Sequence, residues 1–204
     1  IGMLDEVREA FGAKEAVVGI KSEYVTTIKA VEAVLDKFPK VRICALKAAY
    51  PMGDEVVLIY EATGRVIKPG GLPIDENVVV YNVETMYNLY EAVYNNTPVS
   101  SKLVSIVGEI DNPVTVRVPL GTTVKDTIAM AGKATCKDPA YVMGGPMMGR
   151  AMNSIDMPAN KRVSGLLFMP EEESRRTAPD NCIRCAKCVD ACPMGLEPYL
   201  LARQ

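Results

Sequence analysis

Four cysteines fall close together near the end of the chain, in NCIRCAKCVDACPMG, where Cys182, Cys185, Cys188 and Cys192 are followed at once by Pro193. The spacing is C-x2-C-x2-C-x3-C-P, the ferredoxin-type pattern for a 4Fe-4S cluster. A cubane needs soft thiolates converging from a short, curled segment, and two-residue gaps let successive sulfurs reach different iron corners. Zinc sites usually take two C-x2-C knuckles separated by a dozen or more residues, and here nothing separates the pairs. A disulfide framework fits less well, because no secretory signal precedes the motif and intracellular thiols stay reduced.

The fourth cysteine leaves two arrangements open. In two-cluster ferredoxins the cysteine before proline ligates the other cluster, which requires a second quartet. The remaining cysteines, Cys44 and Cys136, are isolated and far upstream. Either Cys192 closes a single cluster with Cys182, Cys185 and Cys188, or the partners of Cys192 lie beyond Gln204. Because the chain opens on Ile1 and stops soon after the motif, it reads as the middle of a longer protein.

Composition limits the chemistry. A chain of 204 residues, 49% hydrophobic and with a net charge of -2, describes one to three small globular domains and no basic nucleic-acid binder. The longest apolar runs, VVLIY at Val56–Tyr60 and VVVY at Val78–Tyr81, are far shorter than a membrane span. There is no histidine, which removes imidazole acid-base catalysis, Ser-His triads and His metal sites together. Redox chemistry here belongs mostly to cofactors.

Apolar spacing predicts an alternation of helix and strand over the first hundred residues. LDEVREAF reads as a helix, AVVGI as a buried strand, YVTTIKAVEAVLDKF as a helix and VRICAL as a second buried strand with Cys44 as a core thiol. This order implies a partial parallel α/β layer with right-handed crossovers. DEVVLIYEAT then reads as a helix ending at Gly64, KPGGLP as a loop, NVVVY as a short strand, and ETMYNLYEAVY as a helix with Met86, Leu89, Tyr90 and Val93 inward. From Val99 the pattern changes. SKLVSIVGEI, a DNP turn and VTVRVPL read as a β-hairpin, TTVKDTIAMAG as a Thr-capped helix, and AYVMGG and VSGLLFM as further strands, the order of a ubiquitin-like β-grasp domain. Its expected core includes Val104, Ile106, Val116, Val118, Ile128 and Leu167, with Val124 and Met130 also covering the sheet. EEESRRTAPD is charged and without period, and reads as a linker to the cysteine segment.

Several of these pieces, in this order, resemble a known family. TGRVIKPGGLPID at Thr63–Asp75, NVVVYNVETMYNLYEAV at Asn77–Val93, GGPMMGRAM at Gly144–Met152, and the cysteine motif followed by PMGLEPYLLAR are similar to the RnfC subunit of the Rnf electron-transport complex. The same plan is shared by cobalamin reductases and proline-reductase-associated electron-transfer proteins, and more distantly by the flavin-bearing NADH-oxidising subunit of respiratory complex I. The resemblance implies an α/β plus α+β chain in three parts. These are a partial flavin/NADH-type layer (1–98), an SLBB-type β-grasp domain (99–170), and a linker with the first half of a ferredoxin-like iron-sulfur module (171–204). It also implies electron transfer between NADH and ferredoxin or another carrier.

By the same resemblance, YPMGDEV nominates Asp54 and Glu55 as acids near the nicotinamide, and YNVETM nominates Asn82 and Thr85 as flavin contacts. Other subunits of an electron-transfer complex, and ferredoxin or a similar redox protein, are the implied partners. The implied location is cytoplasmic, peripheral on the inner face of the cell membrane through those subunits. The glycine-rich loop that would cradle a flavin phosphate is absent from the chain, so FMN and NADH are expected in the full-length protein and not on this fragment.

Structural roles compete with each nomination. Asp54 and Glu55 sit where first-turn acids favour a helix dipole, and Asn82 sits where an N-cap is wanted. GGPMMG also reads as a glycine-permitted hairpin with its methionines inward, and Cys136 as a loop thiol. In function, the alternative to an electron-input enzyme subunit is a non-catalytic adaptor, whose β-grasp domain grips a ligand or subunit while the cluster only relays electrons.

Overall fold

Alternating helices and strands need a partner layer for their apolar faces, and the chain divides into two compact units that each solve this separately. The structure, a computed structural model, describes residues 1–146, 148–174 and 181–202. One unit comprises Ile1–Asn96 together with the segment from Asn181, and the other Thr97–Asp180.

In the first unit, α1 (Gly2–Ala10), β1 (Ala16–Lys21), α2 (Val25–Leu35), β2 (Val41–Leu46) and α3 (Glu55–Thr63) follow the predicted order. Strands β1 and β2 pair in parallel from Ala16↔Val41 to Lys21↔Leu46. Parallel neighbours cannot be joined by a hairpin, so α2 serves as the crossover. Ala16, Ile20, Val41 and Leu46 are buried, and Ile59 of α3 is almost fully enclosed. A Cβ at Gly19 would stand 2.8 Å from Leu58 Cδ1 and 3.1 Å from Leu46 Cδ1, so the missing side chain is what lets α3 lie against β1. Gly64 then ends α3 in the left-handed region at φ 72.

Polar links close the unit. Arg42 donates from Nε and Nη2 to the Glu15 carboxylate (3.0 and 3.2 Å) and from Nη2 to Ala62 O (2.6 Å), joining β2 to the end of α3. The hydrogen bond from Arg42, reinforced by its charge, holds the Glu15 carboxyl below the usual range. That contribution is present above the ordinary glutamate range and is lost as pH falls through the lowered value. With both side chains nearly half exposed it is small. Arg8 is buried and donates to Asp5 Oδ1, Glu9 Oε1 and Ala13 O, while Tyr94 donates to Glu6 Oε1.

Two expectations for this unit fail. NVVVY forms no strand: Pro73–Glu76 makes a 3-10 turn, and residues 78–82 run on irregularly to α4 (Val83–Tyr94). A β-rich stretch needs a neighbouring strand to pair with, and β1 and β2 pair only with each other. On α4, Met86 and Leu89 are half-buried as expected, but Tyr90 and Val93 are exposed. Cys44 is half-buried, its Sγ 3.9 Å from Glu61 O.

In the second unit, β3 (Ser101–Gly108) and β4 (Val114–Pro119) form the expected antiparallel hairpin, followed by α5 (Val124–Ala129), β5 (Ala140–Met143), β6 (Arg150–Ala151) and β7 (Gly165–Met169). The sheet order is β4-β3-β7-β5-β6, with the last strand parallel to the first, which is the β-grasp arrangement. Thr123 caps α5, its Oγ1 accepting from Asp126 N at 3.0 Å. Val104, Ile106, Val118, Val124, Leu166 and Phe168 form the buried core, and Tyr141 meets Phe168 edge-on at 5.2 Å. A Cβ at Gly108 (φ 93) would meet Phe168 O at 2.1 Å, so close approach of β3 to β7 requires glycine there.

Leu167 is not in this core. Strand pairing sets Ile106 beside Leu166 and Val107 beside Leu167, and paired residues share a face, so Leu166 goes inward with Ile106. Val116 and Ile128 pack partly buried against the core, whereas Met130 lies past the end of the short α5 and is 51% exposed. Met148 is 90% exposed, which corrects the inward methionine expected in GGPMMG, and Met147 lies outside the described residues. Of the expected linker, Glu171–Ser174 forms one helical turn, α6, and 175–180 lie outside the described residues. Among the described residues no helix is long and apolar enough to cross a membrane.

The two neighbouring leucines of β7 separate the faces experimentally. Leu166→Ala should lower the stability of the second unit by about 2–5 kcal/mol, the range for emptying a packed core site, and Leu167→Ala by clearly less. Chemical denaturation of both variants is the measurement, and equal losses would contradict the register.

Candidate functional site

The cysteine segment is short and locally organised. Cys182, Cys185 and Cys188 are exposed and Cys192 is half-buried. Arg184 and Ala186, on either side of Cys185, both take left-handed backbone, at φ 55 and φ 62. From Ala186 the chain enters α7 (Lys187–Asp190), where Val189 and Asp190 donate to Ala186 O, and Cys192 N donates to Val189 O at 3.1 Å. After Pro193 a turn through Gly195 (φ 64) leads to α8 (Pro198–Leu201).

The donor set fits an iron-sulfur cluster on its chemistry, since four soft thiols lie within one short segment and no histidine competes. Among the described residues, however, the structure gathers no group of three or more cysteines and carboxylates of the kind that holds a metal ion. Thiol spacing and chemistry therefore carry the assignment, and inter-sulfur geometry does not. Cys136 is a half-buried loop thiol in the other unit.

The four residues nominated for flavin and nicotinamide stand at two helix starts. Asp54 is the N-cap of α3, its Oδ1 accepting from Val56 N (2.9 Å) and Val57 N (3.4 Å), and Glu55 is the first helical residue. Asn82 is the N-cap of α4, its Oδ1 accepting from Glu84 N at 2.9 Å, and Thr85 N donates to Asn82 O at 2.9 Å. All four are exposed. The N-cap role weighed for Asn82 is thus present, while Asp54, weighed as a first-turn acid, caps α3 and leaves the first turn to Glu55; Glu55, Thr85 and the Asn82 amide nitrogen remain for any ligand.

A cleft of about 410 Å³ lies nearby in sequence, lined by Ile67, Lys68, Gly70, Gly71, Asp75 and Glu76 among others, and none of the four nominated residues lines it. Its walls are built by the KPGGLP loop. Gly70 is left-handed (φ 76), Leu72 N donates to Asp75 Oδ2 at 2.8 Å, and Arg65 donates to the carbonyls of Glu76 and Asn77. The PGG punctuation signals the turn but not the cleft beside it.

Comparison with known proteins supplies the class. The Nuo51 FMN-binding domain model matches residues 2–91, and the SLBB domain model matches residues 103–151. The fold also matches the crystal structure of an NAD+-reducing [NiFe]-hydrogenase in the air-oxidized state, with a TM-score of 0.66 and 21% identity over 83% of this chain and 35% of that one, a likeness of fold alone. The chain thus carries an FMN-binding-type domain match followed by an SLBB domain match.

More particularly, the chain is RnfC-like. A subunit of the proton-translocating ferredoxin:NAD(+) oxidoreductase complex of Clostridium ljungdahlii is 36% identical over 199 residues, covering 96% of this chain and 43% of that protein. Cobalamin reductase PduS of Citrobacter freundii is 36% identical over 211 residues, covering 95% of this chain and 46% of that protein. The chain therefore spans about half the length of the curated relatives it matches.

The capping roles are directly testable. Asp54→Ala and Asn82→Ala should each destabilise the first unit by about 0.5–2 kcal/mol, the usual loss for a helix N-cap, and Asn82→Asp should restore most of it. Denaturant midpoints report this, and an Asn82→Ala variant as stable as the parent would remove the cap.

Proposed function

We propose that this chain is the electron-relaying part of a flavin and iron-sulfur oxidoreductase that passes electrons between NADH and ferredoxin or another carrier. The observation that carries the reading is the order of its parts. An FMN-binding-type domain, an SLBB domain and a cysteine quartet follow one another in a single stretch that aligns over nearly the whole chain with RnfC-type subunits and cobalamin reductases.

Cys182, Cys185 and Cys188 would hold a 4Fe-4S cluster, with Cys192 closing it or serving a second one. When bound, such a cluster supplies one-electron transfer. The chain's own contribution is to offer thiolates from an exposed segment, where a partner protein can approach closely. With no histidine, proton handling rests on carboxylates and hydroxyls. In the whole protein, Asp54 and Glu55 would stand near the nicotinamide, and Asn82 and Thr85 would offer an amide and a hydroxyl to a flavin edge. FMN and NADH belong to that whole protein. Its partners are other subunits of an electron-transfer complex, through which it reaches the cytoplasmic face of a membrane.

The adaptor reading draws on the second unit, which has a buried core of its own and could grip a subunit without chemistry.

Anaerobic reconstitution with iron and sulfide, followed by iron and acid-labile sulfide analysis, tests the cluster. The expected result is uptake of iron and sulfide in equal amounts, abolished by Cys185→Ser. Zinc uptake with no iron retained would contradict it. About four irons held stably per chain would place Cys192 in the same cluster, whereas iron lost rapidly in air would place its partners elsewhere. Titration with FMN followed by flavin fluorescence should show no saturating quench at low micromolar FMN. Tight quenching would mean that Asn82, Thr85 and their neighbours suffice without a phosphate loop.

A further inference from the structure

Five non-glycine residues among those described have positive φ: Asn77, Asn96, Asp138, Arg184 and Ala186. Asn and Asp tolerate the left-handed region because their short polar side chains bond locally, whereas Arg and Ala gain nothing there and meet the full clash between Cβ and the following carbonyl. The two residues without that excuse stand one apart, on either side of Cys185. Ordinary packing does not account for them, since every residue from Asn181 to Cys188 is exposed. Hydrogen bonding uses only the carbonyl of Ala186, which accepts from Val189 and Asp190 at the start of α7, and leaves Arg184 and the preceding N–H groups unexplained. Among the described residues the N–H groups from Cys182 to Cys188 reach no backbone acceptor, and the first to do so is Val189. Strain of this kind persists where something else makes use of the conformation.

Resting on the cluster reading above, we propose that Arg184 and Ala186 are positioning residues for the cluster. Their left-handed backbones shape the segment around Cys185 into a concave run of free N–H groups that accepts an anion, as successive amides do in nests that hold phosphates and iron-sulfur clusters. The anion here is the thiolate-ligated cluster. Hydrogen bonds to its sulfurs favour the more negative, reduced state and so raise the reduction potential. The function of these two positions lies in their φ and not in their side chains. Replacement by glycine should be silent, and replacement by a β-branched residue, which resists φ > 0, should not be.

The test uses the chain as it stands, with Ala186→Gly, Ala186→Val, Arg184→Gly and Arg184→Val, each reconstituted anaerobically with iron and sulfide. Three quantities are read: iron per chain, midpoint potential by EPR-monitored titration, and the thermal transition as a check on folding. Both glycine variants should keep the parent's iron and potential. Both valine variants should lose iron at least threefold, with a more negative potential in whatever remains and an unchanged thermal transition. Should one valine variant fail to fold, the other decides. Parent-like iron and potential in a folded valine variant would overturn the proposal. Equal iron loss in the glycine and valine variants would overturn it too, because side-chain contact would then matter and not φ. A parent chain that takes up no iron would instead bring down the cluster reading, and this inference with it.

Discussion

Each unit depends on one parallel pair of strands, β1 with β2 in the first and β3 with β7 in the second. A parallel pair cannot be closed by a tight turn, so the chain must leave the sheet and return, and whatever lies between becomes the packing layer. In the first unit the excursion is α2, and α3 then covers the pair through the space left at Gly19. In the second it is everything from β4 to β6, with α5 laid across the sheet and Gly108 allowing β3 and β7 to close up. Helix starts carrying Asp54 and Asn82 are by-products of the same traffic, since helices entered from irregular chain need their free N–H groups met.

Features that depend on local chemistry were legible in the sequence. The Asn82 and Thr123 caps, the Gly64 stop and the β3–β4 hairpin all follow from residues within a few positions of one another, whereas Asp54, read as a first-turn acid, is the cap one position earlier. Features that depend on a partner strand were not. NVVVY has strand composition but no neighbour, and the choice between Leu166 and Leu167 is made by pairing with Ile106, sixty residues away in sequence. Tyr90 and Val93 were placed inward by a helical period that is real but wider than the surface α4 covers. At the candidate site, the cysteine spacing was plain, but the left-handed backbone at Arg184 and Ala186 was not, because neither residue type signals it.

The same polar groups can be read as architecture or as binding site, and the structure apportions them. Asp54 and Asn82 each commit a side-chain oxygen to the helix they begin, which fixes their position at the helix entrance whether or not a ligand arrives. The cysteine segment is the opposite case. Cys182, Cys185 and Cys188 are exposed, the backbone beside Cys185 is strained, and the N–H groups from Cys182 to Cys188 have no backbone acceptor among the described residues. Within the segment only the Ala186 carbonyl is engaged, at the start of α7, whereas an anionic cluster would use all three features together.

The most direct measurement takes the protein expressed from its whole reading frame, purified without oxygen and mixed with NADH under low-temperature EPR. The account predicts that the signal of a reduced 4Fe-4S cluster grows in with NADH and is lost in a Cys185→Ser variant that still reacts with NADH. An NADH reaction that yields no iron-sulfur signal, or a signal unchanged by Cys185→Ser, would contradict the assignment of these cysteines to the electron path.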